Sequence, residues 1–178
     1  MRLIIISITL FLSNFAFTQE SIKVEKLKSS HRTIYTDIII NAKPEQVWDV
    51  LADFETYEDW AIFFMGIKGD FRDGGKIDAT VQTNVEKNKR RTISHNLKVK
   101  NGSYFSWSDP FAMGMVDNHT FRVEATEDGK TRFIQTDGCI KGMTWLLGGG
   151  VMKFGKENYP LFNRALKAEV ERRFSKIK

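Results

Sequence analysis

The sequence predicts one α+β domain in which an antiparallel sheet packs against a long C-terminal helix. Three observations support this prediction. Between Met65 and Met143, apolar residues recur at every second position, which is typical of half-buried strands. Four turn signals divide that region, at Asp73–Gly75, Lys87–Lys89, Asn101–Gly102 and Glu127–Gly129. Segments with helical spacing lie before and after it, and 178 residues with 42% hydrophobic content are enough to bury one core.

The N-terminal residues 1–19 have the pattern of a signal peptide. An apolar run follows Met1 and Arg2, is shorter than the roughly 20 residues that span a bilayer, and ends at polar Gln19 and Glu20. We expect cleavage near Thr18 and export to a periplasm or the outside, and the alternative is an uncleaved anchor. Residues 20–32 are polar and are predicted to form a short arm. Cys139 is the only cysteine, so an exported chain would contain no internal disulfide bond.

A strand and two short helices are predicted to open the domain, which should extend over residues 33–176. The segment from Thr33 to Ile40 is rich in β-branched residues and predicts a strand. Pro44 suits the first turn of a helix that should continue to about Asp53. A second helical turn is predicted around Tyr57–Trp60, and the two helices should cap one end of the sheet.

The alternation in the middle region indicates which side chains share the apolar, concave face of the sheet. These residues are Ile77, Ala79, Val81, Thr83, Ile93, His95, Leu97, Val99, Phe105, Trp107, His119, Phe121, Val123 and Ile134. The opposite face carries charged and polar residues such as Lys76, Asp78, Lys98, Arg122 and Glu124. The sheet is therefore expected to have one wet side and one buried side.

The last predicted element is a long helix that packs into the sheet. Its apolar stripe consists of Val151, Phe154, Tyr159, Phe162, Leu166, Val170 and Phe174. The glycines at 148–150 are expected to form the sharp turn into this helix. Pro160 removes one backbone hydrogen bond, so a kink or restart is expected there.

This order of elements, together with particular segments, resembles the START-like (SRPBCC) superfamily, whose fold is called helix-grip. The resemblance covers about residues 33–174. The segments that carry it are Ile38–Phe54, Tyr57 and Trp60, Gly74–Gly75, Asn118–Phe121, Gly142 and Ala165–Lys167. It implies a curved sheet wrapped around the long helix, with an apolar cavity between them that binds lipids, sterols, polyketides or similar molecules. The acidic residue that relatives carry in the last strand is replaced here by Cys139 or Gly138, which argues against transferring a catalytic role.

The first functional hypothesis is a binding or carrier protein for a hydrophobic small molecule. The predicted cavity lining consists of Val81, Ile93, His95, Leu97, Phe105, Trp107, His119, Phe121, Ile134, Trp145, Phe154 and Phe162. The alternative is an enzyme of the cyclase or hydrolase type, with His95 or His119 as general base and Trp107 or Tyr104 positioning the substrate. Both histidines could instead be core residues, each satisfied by one hydrogen bond. A third class is an interaction module whose core is completely filled.

No metal and no cofactor are expected, because the histidines, acids and single cysteine lack ligand spacing. Cys139 is interpreted as a small buried filler rather than a nucleophile. The segment Gly150–Lys156 matches the first part of a phosphate loop, but Glu157 replaces the Ser or Thr that would bind Mg²⁺, which argues against nucleotide binding.

The formal net charge of +5 is modest and spread along the chain, so no nucleic-acid partner is expected. A basic cluster, Lys87–Arg91, lies at a hairpin tip and could contact a membrane surface transiently, although a solvated turn is the simpler interpretation. The apolar connection Asp109–Met115 is interpreted as a flap over the cavity mouth, or else as a satellite cluster. The chain is expected to be a monomer or a weak dimer.

Overall fold

The computed structural model describes residues 20–62, 64–84, 89–110 and 112–174. The predicted signal peptide, residues 1–19, lies outside the described residues. Eight strands form one antiparallel sheet in the order β1-β2-β8-β7-β6-β5-β4-β3. The strands are β1 (Glu20–Lys28), β2 (His31–Ile40), β3 (Phe64–Gly69), β4 (Lys76–Asn84), β5 (Lys89–Lys100), β6 (Tyr104–Pro110), β7 (Val116–Ala125) and β8 (Thr131–Ile140). The helices are α1 (Pro44–Ala52), α2 (Tyr57–Trp60) and α3 (Thr144–Phe174), with 3₁₀ turns at Phe54–Thr56 and Ala112–Gly114.

The predicted α+β architecture is confirmed: the curved sheet wraps α3, and the two short helices follow the first strands. The six strands between Met65 and Met143 also form as an antiparallel meander, β3 to β8. Pro44 occupies the first turn of α1, and the side chain of Gln46 accepts a hydrogen bond from the backbone N–H of Lys43 at 2.9 Å. This contact satisfies a donor before the first turn of the helix, in a capping-box arrangement.

The polar segment 20–32 is not a free arm, because it contains a strand. β1 pairs with β2 from Glu20 opposite Ile38 to Lys28 opposite His31, and β2 begins two residues before the predicted start. Most β1 side chains are exposed. A strand rich in Lys and Glu is a common way to end a sheet, because exposed charges oppose pairing with another chain. The polar composition of residues 20–32, which predicted an arm, is therefore typical of an edge strand.

The long helix begins earlier than the sequence predicted. The chain reverses direction at Lys141 (φ 63°) and Gly142 (φ 46°), and α3 starts at Thr144. Gly142 is required there, because a Cβ atom on it would lie 2.3 Å from the backbone of Gly114. The glycines at 148–150 lie within α3 and do not form the turn. The helix also continues through Pro160 without a restart.

A dense group of aromatic rings fills the centre of the space between sheet and helix. Phe105 and Phe121 stack with ring centroids 4.7 Å apart, and Phe162 of α3 lies 5.8 Å from Phe121. All three side chains are at most 1% exposed. The same cluster includes Leu97, Trp48, Phe54, Tyr57, Phe64 and Phe133. This part of the space between the walls is therefore solid core.

Within the described residues, no helix is both long enough and apolar enough to span a membrane.

Candidate functional site

A cavity of about 370 Å³ remains beside the aromatic core, between the sheet and the first half of α3. This volume lies within the range that small-molecule pockets occupy. Its walls come from β3 to β8 and from α3. The lining residues are Phe64, Val81, Arg91, Ile93, His95, Trp107, Asp109, Pro110, Asp117, His119, Asp137, Cys139, Gly150, Val151, Phe154 and Tyr159.

The cavity lining contains half of the twelve residues that the sequence predicted. Those that line it are Val81, Ile93, His95, Trp107, His119 and Phe154. Leu97, Phe105, Phe121 and Phe162 face the same side of the sheet or helix, but they pack into the solid aromatic core. These four residues were predicted on the correct face, but the predicted cavity extended too far along that face. Burial alone does not distinguish a packed side chain from one that borders a cavity.

Ile134 and Trp145 are corrections of a different kind. Ile134 pairs with Arg122 of β7 and with Asp37 of β2, so it lies on the opposite face of the sheet from the cavity. The inward residues of β8 are its odd-numbered neighbours. Trp145 is 59% exposed. It lies in the first turn of α3, because the helix begins before the glycine run rather than after it.

One wall of the cavity carries a buried histidine–carboxylate pair. His95 Nδ1 lies 3.0 Å from Asp109 Oδ2, and both residues are nearly buried, at 5% and 7% exposure. The ring of His95 also stacks on Trp107 with centroids 4.4 Å apart. A carboxylate on Nδ1 fixes the ring orientation and favours the tautomer with the proton on that nitrogen. Within the described residues, Nε2 has no hydrogen-bond partner, so it is the atom available to a bound molecule.

A second polar group surrounds Asp137 of β8. Its carboxyl accepts hydrogen bonds from the hydroxyl of Tyr159 and, at 2.6 Å, from the backbone N–H of Gly138. Trp107 Nε1 donates to the neighbouring Asp117 at 3.0 Å. Burial raises the pKa of Asp137 well above its usual value, and the adjacent Asp117 carboxyl adds to the rise. Asp137 therefore stays protonated in conditions where an exposed aspartate would be ionised.

His119 is a further buried titratable group in this wall. Its ring stacks on Phe121 at 4.3 Å, and its Nε2 lies 2.8 Å from the amide nitrogen of Gln135. Burial, together with the nearby His95, lowers the pKa of His119 to about 3. The imidazole is thus neutral at ordinary pH. With Nε2 accepting from the amide, it cannot also take a proton there without losing that hydrogen bond.

The prediction from sequence did not include the carboxylates of this wall, although each of them lies at an inward position of the alternating pattern. Asp109 continues the alternation of Phe105 and Trp107 and belongs to β6, although the sequence predicts it in the connection Asp109–Met115. Asp117 has the phase of His119, and Asp137 has the phase of Phe133. An acidic residue at an inward position of a strand was therefore the available signal. The last strand does place an acid in the cavity, at Asp137, contrary to the expectation that Cys139 or Gly138 had replaced it.

The connection interpreted as a flap divides into two parts. Asp109 and Pro110 end β6 and line the cavity, whereas Met115 is buried in a satellite cluster with Ile34, Cys139, Met152 and Tyr159. Met113 is 65% exposed, and Phe111 lies outside the described residues. In the basic cluster, Lys87 and Asn88 also lie outside them, while Lys89 begins β5. Tyr104 pairs with Arg122 on the outer face, away from the cavity.

Cys139 reaches the cavity wall, and burial disfavours the reactive thiolate form of its side chain. The residue is 2% exposed, and burial raises the pKa of the thiol above its usual value. Among the described residues, no group of three or more His, Cys, Asp or Glu side chains is arranged to hold a metal ion.

A curved antiparallel sheet around one long helix, with a cavity between them, defines a helix-grip protein of the START-like superfamily. The family model described as polyketide cyclase / dehydrase and lipid transport matches residues 31–178, and the chain belongs to this family. No curated protein sequence matches it.

Solved structures of the same fold include the Zhui aromatase/cyclase from Streptomyces sp. R1128, with a TM-score of 0.65 and 17% identity over 80% of this chain and 95% of that one. A START superfamily protein from Mycobacterium smegmatis matches with a TM-score of 0.61 and 17% identity, covering 79% of this chain and 97% of that one. A protein named Ara h 8.0201 matches with a TM-score of 0.60 and 14% identity, covering the same shares. These likenesses show the fold.

Proposed function

We propose that this protein is a carrier that holds one apolar small molecule, bearing at least one oxygen-containing group, in the cavity between sheet and helix. The observation that carries the proposal is the composition of the walls. One side is apolar, with Phe64, Val81, Ile93, Val151 and Phe154, and the other presents buried hydrogen-bonding side chains. Pockets that select small molecules usually combine an apolar lining with a few convergent polar groups.

The polar wall restricts what the ligand can be. It consists of the polar lining residues His95, Trp107, Asp109, Asp117, His119, Asp137 and Tyr159. Within the described residues, His95 Nε2 is open to accept a hydrogen bond, whereas the protonated Asp137 is already engaged by Tyr159, so this wall suits a neutral polar group of the ligand. A hydroxyl group can donate a hydrogen bond to Nε2 of the imidazole. If the apolar part of the ligand loses about 300 Å² of exposed surface, transfer contributes on the order of 7 kcal/mol before association costs.

Native mass spectrometry with organic extraction tests the carrier proposal. The purified protein should retain a co-purified molecule or bind members of a panel of fatty acids, sterols and aromatic polyketides. Ile93→Trp fills the cavity, and Ile22→Trp is the matched control, since Ile22 is an exposed β1 residue that does not line the cavity. We expect Ile93→Trp to lose binding at least tenfold and Ile22→Trp to leave it unchanged. Equal binding by both variants would contradict the proposal.

A second function, acid–base catalysis on the bound molecule, is favoured by the His95–Asp109 pair. An imidazole whose Nδ1 is held by a buried carboxylate, with Nε2 open to the cavity, is placed to act as a general base that removes a proton next to a carbonyl. The relevant test follows the mass of the bound compound over time. Asp109→Asn should abolish conversion while retaining affinity within about threefold if the protein is an enzyme. Unchanged compound in the wild-type protein would leave the carrier function alone.

We further propose that the chain is exported, on the support of the N-terminal pattern alone. Expression of the full chain in a bacterial host, followed by intact-mass measurement, tests this. A mass corresponding to a start near Gln19 in the periplasmic fraction supports export, and a full-length mass in the cytoplasm contradicts it.

A further inference from the structure

A second concave site lies on the other side of α3 from the cavity. It is a groove of about 390 Å³ between the inner face of β1 and the helix. Gly150, Val151 and Phe154 face the cavity, whereas Gly149, Lys153 and Lys156, spaced by four and three residues, face the groove. The two sites are therefore separated by the body of the helix. We call the second site the basic groove, and it is lined by Val24, Glu25, Lys26, Arg32, Gly149, Met152, Lys153 and Lys156.

Four of the eight lining residues are cations, and their neutralisation within the protein is incomplete. Glu25 is engaged by Lys23 outside the groove at 2.6 Å, and Glu157 lies 3.9 Å from Lys153. In the part of the chain that the structure describes, no carboxylate forms an ion pair with Lys26, Arg32 or Lys156. The groove therefore has an excess of positive charge at short range.

Arg32 contributes a specific hydrogen-bond donor to the groove, in addition to positive charge. Its Nε atom is buried and, within the described residues, has no hydrogen-bond partner. A buried guanidinium N–H without an acceptor is costly, and native proteins usually satisfy such a donor with protein, water or a ligand. The planar guanidinium is also the group that best matches phosphate or carboxylate oxygens.

The glycine run of α3 makes room for this arginine. A Cβ atom on Gly148 would lie 2.8 Å from Arg32 Cδ and 3.1 Å from its Nε, so the side chain can cross the helix only where no Cβ is present. On Gly149, by contrast, a Cβ atom would meet nothing within 4 Å. Glycine is unfavourable within a helix by roughly 1 kcal/mol relative to alanine. At Gly148 the close passage of Arg32 explains the residue.

We propose that the basic groove binds a phosphate-type anion, with Arg32 as the central donor and Lys26, Lys153 and Lys156 as surrounding cations. The partial phosphate-loop match at Gly150–Lys156 takes no part through its backbone, because those residues are helical and their amides bond within α3. Its lysine side chains contribute instead. The anion is either a free phosphate or a phospholipid headgroup, since both present the same oxygens.

Exposed apolar residues near one end of the groove make the lipid source worth a separate measurement. Trp145 lies four residues before Gly149, on the same face of the helix. Its side chain is largely exposed, and that of the adjacent Leu146 is 55% exposed. Tryptophan is enriched where proteins meet the headgroup region of a membrane. An anionic headgroup in the groove would place this tryptophan near the interface.

The test uses the full protein with two probes. Isothermal titration with inorganic phosphate measures the free anion, and sedimentation with phosphatidylcholine vesicles, with or without phosphatidic acid, measures the headgroup. Arg32→Gln should weaken binding of the effective probe by about tenfold, which matches the loss of a charge-assisted hydrogen bond. Lys153→Gln combined with Lys156→Gln changes only exposed helix residues, and should weaken binding while leaving the fold intact.

Lys98→Gln is the matched control, because Lys98 is an exposed lysine on the outer face of β5. It should bind each probe as the wild type does. Binding of inorganic phosphate without vesicle binding assigns the site to a soluble phosphate, and selective binding of phosphatidic acid vesicles assigns it to a lipid. The proposal is overturned if neither probe binds. It is also overturned if Lys98→Gln weakens binding as much as the groove variants do, since the attraction would then come from overall charge.

Discussion

The buried imidazole of His119 should make the protein unstable in acid, by an amount that the structure defines. The neutral ring is stacked on Phe121 and bonded to Gln135, and its pKa falls from 6.5 to about 3 in the folded state. The unfolded chain takes up the proton below pH 6.5, whereas the folded chain does not. Stability from this residue is therefore complete above pH 6.5 and decreases as the pH falls towards 3. At 1.36 kcal/mol per pH unit, the loss approaches about 5 kcal/mol over the whole interval.

Asp137 acts in the opposite direction in the same interval. Its pKa is raised, so the folded state retains a proton that the unfolded chain releases above about pH 4. The stability that comes from the neutral acid is present at low pH and decreases as the pH rises. The two effects offset each other in the wild type, so the experiment requires Asp137→Asn as the background. The amide cannot titrate, and it retains one acceptor oxygen and an N–H donor at this position.

Urea unfolding at several pH values between 4 and 7 would measure the effect of His119. Relative to Asp137→Asn combined with His119→Gln, the single variant Asp137→Asn should lose about 1.4 kcal/mol of unfolding free energy for each pH unit below 6.5. All other titrating groups are common to both proteins and cancel in the difference. A difference that does not change with pH would refute the assignment of His119 as a neutral buried group.

Three further predictions concern groups outside the polar wall. Tyr57→Phe removes the buried hydrogen bond from the Tyr57 hydroxyl to the carbonyl of Leu51 at 2.6 Å, and chemical denaturation should show a loss of about 1 to 2 kcal/mol; no loss would mean that the carbonyl finds another donor. Gly142→Ala should lower the thermal midpoint markedly, because its Cβ would lie 2.3 Å from backbone atoms of Met113 and Gly114, and an unchanged midpoint would contradict the tight turn. Cys139 should react with a thiol reagent at neutral pH far more slowly than in urea-unfolded protein, because burial raises its pKa; equal rates would contradict its placement in the wall.

The strand faces could be predicted from the sequence because alternation with a period of two is a local property. It placed Val81, Ile93, His95 and Trp107 together on the concave side, and the cavity contains all four. It failed at Ile134, since that side chain is apolar and buried although it faces the other way. Apolar character indicates burial, and only the register of the ladder assigns the face.

The position of the cavity could not be predicted, because it depends on which rings interlock. Phe105, Phe121 and Phe162 have the same pattern in the sequence as residues that border the cavity, yet their rings pack against one another in the core. Close packing is decided by side-chain volumes in three dimensions. The sequence of a strand therefore predicts that a residue points inward, but not whether its side chain contacts a ring or borders the cavity.

The polar wall was the largest omission, and its cause is specific. Asp109, Asp117 and Asp137 are separated along the chain, and only the pairing of β6, β7 and β8 brings them together. The sheet brings Asp109 opposite Asp117 and Asp117 opposite Cys139. Acids at inward positions of strands are rare enough to indicate a site, and one of them, Asp109, is the hydrogen-bond partner of His95.

The most direct test of the carrier account is a methyl NMR titration with N-phenyl-1-naphthylamine, a neutral apolar compound. At saturation, the methyl signals of Val81, Ile93 and Val151 should shift, because these side chains line the cavity. The methyl signals of Ile22 and Val24 on the edge strand should remain in place. A titration in which the edge-strand signals shift while those three cavity signals stay unchanged would contradict the account.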